Sequence, residues 1–134
     1  MRFINMKTKR SARETFPGGF LNADLDIEMS KGFDEWLNAV DSKVIVLRRT
    51  DPFAVLELNK QPKSIDGAIA SWAVIIAALP PRLKKMWHGA KLRRVNIGIT
   101  GNAPQQVFGI SEKSVQYLSR MSADLVFTVY CPPA

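Results

Sequence analysis

The stretch from Phe20 to Met29 limits the choice of fold more than any other part of this sequence. Leu21, Ala23, Leu25, Ile27 and Met29 alternate strictly with Asn22, Asp24, Asp26 and Glu28. Successive side chains of an extended chain point to opposite faces, so a period of two predicts a strand with one apolar and one polar face. Such a strand suits an antiparallel sheet that packs its apolar side on a core.

The segments on either side of this strand can be read in the same way. Ser30 is placed to cap a helix in which Phe33, Trp36, Leu37 and Val40 recur at helical spacing. Lys43 to Arg48 is β-branched and apolar and predicts a strand. Thr50-Asp51-Pro52 is a turn, and Phe53 to Asn59 returns with Ala54, Leu56 and Leu58 on one face. Ser64 should cap the longest helix, about residues 65–79, with Ile65, Ala68, Ile69, Trp72, Ile76 and Leu79 as its stripe. Pro80-Pro81 ends it and opens a short helix that turns Leu83, Met86 and Trp87 inward. Arg93 to Thr100 predicts a strand with Val95, Ile97 and Ile99 inward. Gln105 to Ile110 predicts a short irregular strand. Ser111 should cap a helix carrying Val115, Leu118 and Met121. Asp124 to Cys131 is apolar on both faces, which predicts a strand inside the sheet.

The order β-α-β-β-α-β-α-β predicts the α+β class: one two-layer domain, its sheet mostly antiparallel, its helices on one face. The first six elements match the ferredoxin-like split βαβ order, and the last helix and strand extend it. A length of 134 residues suits a single domain. Residues 17–134 are assigned to it. Residues 1–16 are expected to form a flexible basic leader, with a short strand around Phe3–Met6. The leader holds five of the 19 basic residues and one of the 12 acids, so it carries +4 of the net +7. The domain itself is only mildly basic, and the chain's pI near 9.9 overstates its affinity for polyanions.

Composition also excludes chemistry. One histidine and one cysteine cannot build the common zinc sites. A Ser–His–Asp triad would have to use His88, and no G-x-S-x-G occurs. His88 reads as a helix-end residue whose charge suits the helix dipole, and Cys131 as a buried hydrophobe. Gly98-Ile99-Thr100-Gly101 is neither a P-loop nor a dinucleotide fingerprint and reads as the exit turn of a strand. No catalytic residue, metal or cofactor is expected. The apolar segment Ile65–Leu79 is interrupted by Asp66, Gly67 and Ser71 and is too short to span a bilayer. A lone cysteine and the lack of an apolar stretch after the basic start predict a cytoplasmic protein.

Two candidate contact surfaces remain. Asp24, Asp26 and Glu28 form a row on one strand face, with successive carboxylates roughly 6.5–7 Å apart. Such a row can receive a basic partner, bind a hard cation or act as an acid–base pair. The plain alternative is a solvated sheet face that Glu57 and Arg94 share and partly neutralise. The second surface is Arg82, Lys84, Lys85, Lys91, Arg93 and Arg94, with Trp87 and His88 between them. Cations flanking an aromatic can hold a nucleic-acid backbone. Trp87, however, lies at core spacing with Leu83, and no RRM, KH, zinc-finger or helix-turn-helix signature accompanies the segment.

The segment LNADLDIE (Leu21 to Glu28), with Leu79-Pro80, Met86-Trp87, Val95-Asn96-Ile97-Gly98-Ile99 and Thr128-Val129-Tyr130-Cys131-Pro132, is similar to a group of small, largely uncharacterised bacterial proteins. The likeness covers about residues 18–133. Some proteins of this size and style resemble immunity proteins of polymorphic or contact-dependent toxin systems. The resemblance implies a non-enzymatic protein, monomer or homodimer, that binds a cognate toxin and blocks it. Inhibitors of basic nucleases are usually acidic. This chain is basic overall, which directs attention to the acidic row as the contact surface. Nucleic-acid binding through the basic segment and the leader is the alternative.

Overall fold

The computed structural model describes residues 19–101 and 105–131. The expected leader and its short strand at Phe3–Met6 lie outside them. Five strands form one sheet: β1 (Phe20–Glu28), β2 (Val44–Thr50), β3 (Phe53–Leu58), β4 (Leu92–Thr100) and β5 (Asp124–Tyr130). The helices are α1 (Phe33–Val40), α2 (Ile65–Ala77), α3 (Pro81–His88) and α4 (Glu112–Met121). A 3-10 turn, Asp41–Lys43, leads into β2.

The sheet order is β2-β3-β1-β4-β5. All neighbours are antiparallel except β4 and β5, which are parallel. The first four strands therefore carry the ferredoxin-like arrangement read from the element order. A parallel pair needs a crossover, and α4 supplies it.

The alternating strand occupies the centre of the sheet. Leu25 and Ile27 on β1, Ala54 and Leu56 on β3, and Val95 and Ile97 on β4 are all fully buried. Burying each of the larger ones contributes about 1.5–3 kcal/mol. The helices close this face. Phe33, Trp36, Leu37 and Val40 of α1 point in, as do Ala68, Ile69, Trp72 and Ile76 of α2. Trp72 Nε1 donates to the Ala23 carbonyl at 3.2 Å, tying α2 to the central strand. Trp36 and Trp87 stack with ring centroids 5.7 Å apart and joins α1 to α3 across the core.

Local signals set the helix ends. Ser64 Oγ accepts from the Gly67 amide at 3.0 Å, and Ser111 Oγ from the Ser114 amide at 3.1 Å. Asp66, in the first turn of α2, also serves α4. Its Oδ1 accepts from the Ser111 amide at 2.9 Å and from the Ser114 hydroxyl. These bonds, the Ser111 amide foremost, hold the Asp66 carboxyl below the usual carboxylate range.

Several expectations fail for identifiable reasons. Ser30 does not cap α1: Gly32 holds the N-cap position at φ +68°, in the left-handed region. Gln105–Ile110 contains no strand. The strand Asp124–Cys131 is not interior. β5 lies at the sheet edge, where its apolar faces have β4 on one side only. Cys131 beyond it is exposed rather than buried, and Val115 of α4 is exposed as well. Gly98 belongs to β4 itself, not to its exit turn.

Candidate functional site

The polar face of the sheet follows from the register. Asp24 lies across from Glu57 on β3 and Asn96 on β4. Asp26 lies across from Val55 and Arg94, and Glu28 from Phe53 and Leu92. The acidic row thus gathers the two partners expected from the sequence, Glu57 and Arg94. Arg94 Nε donates to Asp26 Oδ2 at 2.8 Å. One strand further out, Thr128 Oγ1 donates to Asn96 Oδ1 at 2.7 Å. Asn22 lies across from Gly98, where an added Cβ would come within 2.3 Å of Asn22 Oδ1. A glycine is what lets this polar side chain lie flat over β4.

This strip is not a solvated sheet face. Asp24 is 8%, Asp26 4% and Glu57 2% exposed. Glu28 is the half-exposed member of the row, and Lys91 Nζ stands 3.9 Å from its Oε2, a weak surface pair. Taking carboxylates out of water is costly unless they are paired and hydrogen-bonded. The Asp26–Arg94 ion pair meets that requirement inside the fold. For an incoming partner, Glu28 is the accessible carboxylate of the three. Among the described residues no group of three or more His, Cys, Asp or Glu side chains is arranged to hold a metal ion.

The basic segment is divided between internal and external roles. Trp87 is fully buried and donates from Nε1 to the Met121 carbonyl at 2.8 Å, so it offers no stacking platform. Arg93 bonds the carbonyls of Ser122 at 2.7 Å and His88 at 3.1 Å, and also that of Ala90. Its fork caps the carbonyl end of α3. Arg94 is committed to Asp26, and Arg82 pairs with Glu35. Lys84 and Lys85 make no ion pair among the described residues, and His88 is exposed at the helix end, as expected.

Two features were missed in the sequence. The first is the outer edge of the sheet, where β5 exposes Phe127 at 41%, Val129 at 54% and Tyr130 at 38%. The opposite edge, β2, exposes Ile45 and Val46. An apolar strand gave no sign of whether it would have one neighbour or two. The second is a groove among α2, α3 and α4, lined in part by Tyr117 and Arg120. Its residues come from three separate segments, and no local pattern links them. No helix among the described residues is long and apolar enough to cross a membrane. No protein-family model matches this sequence, and no curated protein and no solved structure matches it.

Proposed function

We propose that this chain is a non-enzymatic partner-binding protein of the immunity type, which acts in the cytoplasm and neutralises a cognate bacterial toxin by covering it. The observation that carries partner binding is the outer strand β5. Among the described residues no strand pairs with its outer edge, and it exposes the side chains Phe127, Val129 and Tyr130. Addition of a partner strand to such an edge uses main-chain hydrogen bonds for affinity and alternate side chains for specificity. Glu28 adds a negative contact, with Asp24 and Asp26 behind it. The toxin-directed part of the reading rests on the likeness of the LNADLDIE segment and its companions to a group of small bacterial proteins, some proteins of this size and style resembling immunity proteins. Nucleic-acid binding is the second reading, supported by the uncommitted cations Lys84 and Lys85.

The experiment is affinity purification of the tagged chain from its native host at moderate salt, with Val129→Lys and Glu28→Ala in parallel. A stoichiometric protein that kills cells when expressed alone, and that is lost with Val129→Lys, is the expected result. Equal recovery with both variants would remove both surfaces from the reading. Nucleic acid alone, released as salt is raised, would favour the second reading.

A further inference from the structure

The groove among the three helices has a composition that the partner-binding reading does not use. Each lining helix contributes its last turns: residues 73–77 of α2, 84–88 of α3 and 117–121 of α4. Lys84 and His88 stand one helical turn apart on α3, and Tyr117 and Arg120 stand one turn apart on α4. The buried side chains of Ile76 and Met121 lie between them and form an apolar floor. No carboxylate lines the groove, and Lys84, His88 and Arg120 make no ion pair among the described residues. The volume is about 320 Å³. At ~30 Å³ per water-sized group, it holds a molecule of about ten heavy atoms.

We propose that this groove binds a small amphipathic monocarboxylate, its apolar body on Ile76 and Met121 and its head between Lys84 and Arg120. Small-molecule sites combine an apolar lining with a few convergent polar groups, and this groove has both. The lack of any acid makes the ligand an anion. The choice of carboxylate over phosphate follows from the helix directions. All three helices present their carbonyl ends, whose partial negative charge opposes an anion in proportion to its charge, so a singly charged carboxylate is disfavoured less than a phosphate and relies on the side-chain cations. Two side-chain cations, with the His88 ring and the Tyr117 hydroxyl beside them, suit a single negative charge. Arg120 can grip a carboxylate through two parallel N–H bonds. Cations in the last turn of a helix also serve the helix dipole, so the test must separate a ligand role from a stabilising one.

Octanoate, with ten heavy atoms, is the probe, and octanol is its neutral control. Amide and side-chain NMR shifts of the full chain are followed during titration, with Lys84→Met/Arg120→Met as the variant. Octanoate should saturate, with shifts confined to the ends of α2, α3 and α4, and should bind at least ten times more tightly than octanol. The double variant should keep its thermal midpoint within a few degrees and lose octanoate affinity about tenfold or more. Inorganic phosphate should fail to displace octanoate. Equal affinity for octanoate and octanol, shifts scattered over the surface, or unchanged affinity in the folded double variant would each overturn the proposal. Should the double variant not fold, Lys84→Gln alone is measured, and an unchanged octanoate affinity there would overturn it equally.

Discussion

Replacing Arg94 with Met tests the polar strip at its strongest link. The Asp26 side chain is 5% exposed and that of Arg94 34%, and their atoms meet at 2.8 Å. Removing one partner of a fully buried ion pair costs about 3–5 kcal/mol, because the remaining charge stays out of water without its counterion. Arg94 is a third exposed, so water can reach the vacated position and offset part of that loss. A cost of about 2–3 kcal/mol is therefore expected for Arg94→Met. Asp26→Asn keeps a hydrogen-bond acceptor for Arg94 and leaves no buried charge, so it should cost less, about 1–1.5 kcal/mol. Combining both changes should cost well under their sum, because the charge stranded by the first has been removed by the second. Urea unfolding followed by tryptophan fluorescence is a suitable assay, since Trp36, Trp72 and Trp87 are all fully buried. At roughly 3–5 °C per kcal/mol for a domain of this size, Arg94→Met should also lower the thermal midpoint by about 10 °C. A loss below ~0.5 kcal/mol for Arg94→Met, or strictly additive costs, would refute the reasoning that the pair neutralises a buried charge.

Three further outcomes are expected. Trp87→Phe should cost about 1–3 kcal/mol more than Trp36→Phe in the same urea assay: Trp87 Nε1 satisfies the buried Met121 carbonyl, whereas Trp36 Nε1 is buried with no acceptor among the described residues. Asp66 has a depressed carboxyl, so its contribution to stability is present above its unfolded value of about 3.9 and is lost as pH falls through its lower folded value. Asp66→Asn should therefore be less stable than the parent at pH 6, with the two stabilities converging below about pH 4 in paired urea curves. Gly98→Ala forces Asn22 out of place, since the new Cβ would lie 2.3 Å from Asn22 Oδ1 and 3.1 Å from Tyr130 Cε2, and it should cost about 1–3 kcal/mol by thermal unfolding.

How much of the fold could be read in advance depended on how local each signal was. Side-chain period is a property of a few consecutive residues, and it fixed β1, β3 and β4 with their inward sets. The caps at Ser64 and Ser111 are equally local, a hydroxyl reaching an amide three residues on. Trp87 read as core because Leu83 sits one turn before it, and both are buried. The class and the sheet's first four strands then followed from the order of elements, because a split βαβ unit leaves few ways to bury one face.

What the sequence by itself determined is therefore which residues share a face and in what order the elements come. Only the tertiary structure decided what stands opposite each face. Asp24 and Asp26 look like a solvated row in one dimension. In the folded chain both are buried, with β3 placing Glu57 beside Asp24 and β4 placing Arg94 beside Asp26, from about thirty and seventy residues away. Phe127 and Val129 look interior, yet they are exposed on β5, which stands at the edge of the described sheet. The groove at Lys84, His88 and Arg120 exists only where three helix ends converge. In each case the deciding contact joins residues distant in the chain, and local periodicity carries no information about such a contact.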